Sequence, residues 1–182
     1  MDAYEKAIVD ATLEFPKFRI VAKSDSSLMR VIDFLLKVIT FWKMTEFMYC
    51  FTTTLGYTVY TSTSWDQRSE ASRITTLKHE LVHMRQMERY GRILFSLAFL
   101  LFWLPIGLAY FRKKFEQEAY EESMRWRLKF FGIHNIENPD YKESIVCHFL
   151  SAEYVWTWPF RSSIEKWFDA TVEKLKAEAL DD

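Results

Sequence analysis

The chain has 182 residues, 49% hydrophobic and 18% aromatic, with four glycines, four prolines and a net charge of −1. This suits one domain with a sizeable core and excludes a disordered or loop-dominated chain. Near-neutral charge argues against a nucleic-acid partner, which needs a concentrated basic surface.

Residues 2–14 read as a short helix that stops before Pro16. Phe18-Arg19-Ile20-Val21-Ala22 alternates and is β-branched, which predicts a strand. Ser24-Asp25-Ser26-Ser27 offers capping side chains for a helix from about 28 to 43, with Asp33 and Lys37 one turn apart on its wet side. From Phe47 to Thr61 the residues are β-formers, and Gly56 marks a bend between two strands. Asp66 is the expected N-cap of a long helix over 67–90, closed by Gly91. A second long helix is expected over 108–131, stopping at Gly132, and Asn138-Pro139-Asp140 opens a third. Pro159 interrupts the chain before a last helix with the stripe Ile164, Trp167, Phe168, Val172, Leu175. The expected class is α+β, predominantly helical, as a single domain over 1–182 with a small sheet ahead of the 67–90 helix. Cys50 and Cys147 lack metal-ligand spacing, and their apolar neighbours predict buried free thiols in a reducing compartment. The opening Met1-Asp2-Ala3-Tyr4-Glu5-Lys6 has no apolar core of a signal, so the expected location is cytoplasmic.

The 67–90 helix contains His79-Glu80-Leu81-Val82-His83. Histidines four apart on a helix differ by about 40° in azimuth and roughly 6 Å in rise, so both imidazoles can close on one metal ion. Neutral imidazole suits zinc, and one further protein ligand leaves a fourth position for water, whose pKa falls toward ~7 on the metal. Glu80 stands beside the ion without being a ligand, where it can take that water's proton and pass it to a leaving amine. Uncharged, apolar Leu81 and Val82 between the histidines favour the catalytic reading over a solvated helix face.

With this motif the chain resembles the zincin metallopeptidases, and the gluzincins in particular, whose third ligand is a glutamate on a later helix. The second carrier of the resemblance is Phe115-Glu116-Gln117-Glu118-Ala119-Tyr120, which looks like the E-x-x-A-D signature of the heat-shock and CAAX-prenyl type proteases. Tyr120 stands where those families carry an aspartate that orients a histidine. The resemblance covers about residues 66–127 and implies Zn2+ held by His79, His83 and Glu116, with Glu80 as catalytic base. It also implies a peptide or protein substrate, bound by strand addition to a sheet edge ahead of the motif, for which Tyr57-Thr58-Val59-Tyr60-Thr61 is the nearest stretch. Periodicity alone places Glu116 and Glu118 on opposite flanks of the apolar stripe of the 108–131 helix and leaves the third ligand open between them. Glu121 is expected to pair with Arg125 on the surface. His134 belongs to the loop after Gly132, and His148 reads as a satisfied core histidine.

Residues 93–111 carry no charge over 19 positions, long enough to cross a membrane. A straight crossing would put the histidines and Glu116 on opposite sides. Pro105 and Gly107 instead predict a break near Leu104 and a helical hairpin that is buried or touches a membrane surface. The aromatic run 154–160 reads as core packing. The competing readings are a non-catalytic structural protein with a structural zinc or none, and a membrane-associated interaction protein organised by 93–111.

Overall fold

The computed structural model describes residues 2–100, 109–150 and 160–181. It is mostly helical with one three-stranded sheet, and it divides into two compact units, Met1–Phe95 and Ser96–Asp182. The expected break at Leu104 to Gly107, the hairpin built on it, Tyr154 and most of the aromatic run 154–160 lie outside the described residues. Among the described residues, no helix is long and apolar enough to cross a membrane.

In the first unit, α1 (Ala3–Glu14) opens with a capping box: Asp2 accepts from the Glu5 amide, and Glu5 reaches back to the Asp2 amide. Its small residues Ala7 and Ala11 are buried, and the helix packs on α3 (Glu70–Tyr90). The sheet holds β1 (Arg19–Ala22), β2 (Thr53–Leu55) and β3 (Thr58–Thr61) in the order β1-β3-β2. β1 runs parallel to β3 and β2 antiparallel to it, the β2–β3 turn passing through Gly56 at φ 63°. β3, with Val59 fully buried, is therefore the central strand. The expectation that residues 57–61 offer an edge for strand addition fails, because that strand is paired on both sides; among the described residues the edge strand that contacts α3 is β2.

Helix α2 (Ser27–Ile39) is capped by the Ser26 hydroxyl and ends four residues earlier than its pattern suggests. Thr40 turns its hydroxyl back to the Leu36 carbonyl, and the Trp42 amide closes on the Lys37 carbonyl. Phe41 and Trp42 then take left-handed backbone, at φ 51° and 61°. Such a conformation costs a non-glycine residue about 1 kcal/mol or more. The stop of α2 is thus written in backbone closure that no glycine announces.

The helix expected from Asp66 begins later. Trp65–Gln67 forms a single 3-10 turn, and Ser69 caps α3 by accepting from the Ser72 amide. Gly91, at φ 81°, closes α3 before α4 (Arg92–Leu100). Residues 47–52 are not strand, since Tyr49 and Cys50 turn back on Glu46.

The second unit holds α5 (Ala109–Phe131), α6 (Ile133–Ile136), α7 (Pro139–Leu150) and α8 (Arg161–Asp181). Asn138 accepts from the Asp140 amide at the start of α7, with Pro139 as the first helical residue. One core joins these helices: Met124 of α5, Ile136 of α6, Ile145 and Phe149 of α7, and the expected stripe Ile164, Phe168, Val172 and Leu175 of α8. Both cysteines are thiols outside any disulfide, as expected, yet exposed rather than buried; the Cys50 sulfur donates to Glu46 at 3.7 Å and the Cys147 sulfur to Glu143 at 3.2 Å.

Phe149 packs on Tyr120 and Trp167 with almost no exposure. Phe149→Ala should cost about 3–5 kcal/mol in urea unfolding, whereas Leu180→Ala, at an 86% exposed position, should stay within about 0.5 kcal/mol.

Candidate metal centre

Helix α3 is buried around most of its middle: Leu77, Leu81, Val82, Met84 and Met87 all lie inside. A helix in that position carries its polar side chains into the interior with it, so each needs a partner. His79 and His83 stand one turn apart, with ring centroids 5.0 Å apart and planes at 80°. This is the same-face juxtaposition that their spacing requires.

His83 is buried, and its Nδ1 lies 2.9 Å from Oε1 of the fully buried Gln86. An amide oxygen only accepts, so this contact is met by a proton on Nδ1, and in the neutral ring that tautomer leaves the lone pair on Nε2. A second partner of this kind fixes the tautomer and the ring orientation that a metal ligand needs. Phe95 lies against the same imidazole at 6.4 Å between centroids.

Glu80 is also buried, and the Thr54 hydroxyl donates to its Oε2 at 2.7 Å. Thr54 belongs to β2, so the edge strand and the candidate base are tied directly. Lys23, wholly buried at the end of β1, donates from Nζ to the Phe47 carbonyl at 2.9 Å and stands 3.4 Å over the Phe47 ring. Burial brings its pKa down to about 7, against the opposing pull of the Glu80 and Asp33 carboxylates. Arg85, two residues after His83, turns to α1: its guanidinium grips Glu14 through Nε at 2.5 Å and Nη2 at 2.8 Å. That grip holds the Glu14 carboxyl below its usual range.

In the second unit, α5 separates the two candidate third ligands. Glu116 is buried along with Lys113, Gln117 and Ala119, whereas Glu118 is exposed. Burial lowers the Lys113 pKa, and neighbouring Lys114 adds to the effect. One turn after Glu116, the Tyr120 hydroxyl meets His148 Nδ1 at 3.0 Å, with the two rings stacked at 22°. Glu121 pairs with Arg125 as expected, and Glu122 is engaged by Arg125 and by the Trp126 indole. His134 is almost fully exposed on α6, 3.9 Å from Glu137. His148 is half-buried and partnered rather than a core residue.

Among the described residues, α3 of the first unit offers His79 and His83 as metal-ligating side chains, and α5 of the second offers the buried Glu116. Gln86, Thr54 and Lys23 escaped the sequence reading. Gln86 carried a local signal, three residues after His83 on the same helical face. Thr54 and Lys23 carried none, because they reach Glu80 through the tertiary fold. Comparisons with protein-family profiles, with curated proteins and with solved structures give no match.

Gln86→Leu removes the acceptor for His83 Nδ1 at constant bulk and should weaken metal binding about ten- to a hundredfold, measured by competition with a chromophoric chelator. Lys23 gives a separate expectation. An unfolded lysine titrates near ~10.4. From about pH 7 up to that value, the unfolded chain therefore binds one more proton than the fold. Stability should then rise with pH across this window, by up to about 1.4 kcal/mol per pH unit. Denaturant unfolding of wild type should show the rise, and Lys23→Met should flatten it.

Proposed function

We propose that the chain is a zinc-dependent metallohydrolase of the zincin type acting as a peptidase, with His79, His83 and Glu116 as ligands and Glu80 as general base. The observation that carries this reading is the α3 arrangement: two facing imidazoles, one with Nε2 left as a lone pair by Gln86, beside a buried carboxylate held by Thr54. An ordinary solvated helix face needs none of these partners. The donor set also fits the metal, since two neutral imidazoles and one carboxylate suit zinc and leave a fourth position open. Glu116 is assigned over Glu118 because it is buried on α5, where a ligand is shielded from competing water, whereas Glu118 is exposed.

When bound, zinc supplies Lewis acidity that makes water nucleophilic at neutral pH and polarises a carbonyl. The remaining chemistry belongs to the chain. Thr54 fixes Oε2 of Glu80, which leaves Oε1 to take a proton from the attacking water. As the scissile C–N bond breaks, Glu80 returns that proton to the departing amine. Among the described residues β2 pairs only with β3, so its second edge can receive an extended peptide by strand addition. Because Thr54 sits on that strand, a peptide aligned there would be registered against Glu80.

Zinc per chain should be close to one in wild type, absent in His83→Ala, reduced in Glu116→Gln and unchanged in Glu118→Gln, measured by inductively coupled plasma mass spectrometry. Glu80→Gln should keep its zinc while hydrolysis of a quenched-fluorescent peptide library falls about a hundredfold or more. Folded wild type that neither carries nor takes up zinc, or a Glu80→Gln protein that cleaves at the wild-type rate, contradicts the proposal.

A further inference from the structure

Helix α2 presents the wrong face to solvent for an ordinary surface helix. At 100° per residue, Leu28, Val31, Phe34, Leu35, Val38 and Ile39 form an arc about 140° wide, interrupted only by Ser27. All six are exposed, while Met29, Ile32 and Leu36 occupy a separate arc turned inward. Phe41 and Trp42 extend the exposed arc beyond the helix, 86% and 63% exposed. Their left-handed backbone holds both rings outward where a continued helix would have placed them on its cylinder. A contiguous apolar surface of this kind marks an interaction site.

The charges around the arc indicate what covers it. Between the apolar arc and Asp33 stand Arg30 and Lys37, and Asp33 is tied to Lys37 at 2.7 Å. Arg30 and Lys43 are exposed and take no ion-pair partner among the described residues. Asp25 and Glu46 are exposed too, but they lie beyond the two ends of the arc. The arc is thus bordered by cations on its polar side, with a tryptophan at one end, which is the pattern of a helix lying in a lipid interface. The face is convex and wide, so a single partner helix would cover only part of it, while a bilayer surface takes the whole arc.

We infer that α2 together with Phe41 and Trp42 is a membrane-surface anchor that seats the protein on a phospholipid bilayer, with the aliphatic arc among the acyl chains and Arg30, Lys37 and Lys43 at the phosphates. The anchor is independent of the metal site. It lies outside the 93–111 segment on which the sequence places membrane contact.

The test is flotation of the full-length chain with vesicles of phosphatidylcholine, alone or mixed with phosphatidylglycerol. Wild type should float with the mixed vesicles, with Trp42 fluorescence shifted to the blue relative to a Trp42→Phe reference. The Phe41→Ser/Trp42→Ser variant and, separately, Phe34→Gln should weaken partitioning about tenfold or more. Arg30→Gln/Lys43→Gln should weaken binding to the mixed vesicles and leave the weaker binding to pure phosphatidylcholine unchanged. Leu180→Ser, an exposed apolar position elsewhere, should bind as wild type, and so should His83→Ala, which separates this proposal from the zinc reading. Far-UV circular dichroism checks that each variant is folded. Wild type that stays in the dense fraction with both vesicle types overturns the inference, as does equal flotation of the Phe41/Trp42 variant. A concentration-dependent dimer that the same variant dissociates, without vesicle binding, also overturns it and assigns the face to a second copy.

Discussion

A carboxylate and an imidazole enter a protein interior only when their polar atoms are answered there. Helix α3 takes Glu80 and His83 inside, and much of the first unit is arranged around that requirement. Gln86 answers His83 from one turn along the same helix. Thr54 answers Glu80 across to the sheet, which sets how β2 lies against α3. Lys23 places a buried amine within electrostatic reach of the same carboxylate. Two of these partners come from strands or their ends, so the small sheet positions the helix motif as well as filling the core.

The histidine motif was legible because its chemistry is local. Two side chains four residues apart on a helix share a face whatever the rest of the chain does. The extent of α1, the start of α7 and the buried face of α8 were legible for similar reasons, through Pro16, Pro139 and the 164–175 stripe. Asp66 misled because a capping residue only reports that a helix can begin there, and a 3-10 turn intervened before Ser69. The 28–43 helix was drawn too long because its stop depends on Thr40 and on left-handed backbone at two aromatic residues, which sequence patterns disfavour.

Strand order was the least legible feature. Tyr57–Thr61 has strong β-formers and lies nearest in sequence to the motif, which made it the natural edge. Pairing by β1 from one side and β2 from the other makes it the centre. Alternation identifies a strand and its buried face, but not its neighbours. The choice between Glu116 and Glu118 was undecidable by periodicity for a related reason: both flank the stripe, and only tertiary packing buries one of them. The exposure of the apolar face of α2 is a property of the fold, which periodicity alone does not report.

The most direct test of a zinc site of the proposed kind is X-ray absorption at the zinc edge of the loaded protein. It should show nitrogen and oxygen scatterers near ~2.0–2.1 Å, with the outer-shell signature of two imidazoles. In His83→Ala, any zinc that still binds should carry one imidazole at most. A sulfur shell near ~2.3 Å, or an oxygen-only shell without imidazole scattering, would place the metal elsewhere and contradict the assignment of His79 and His83 as its ligands.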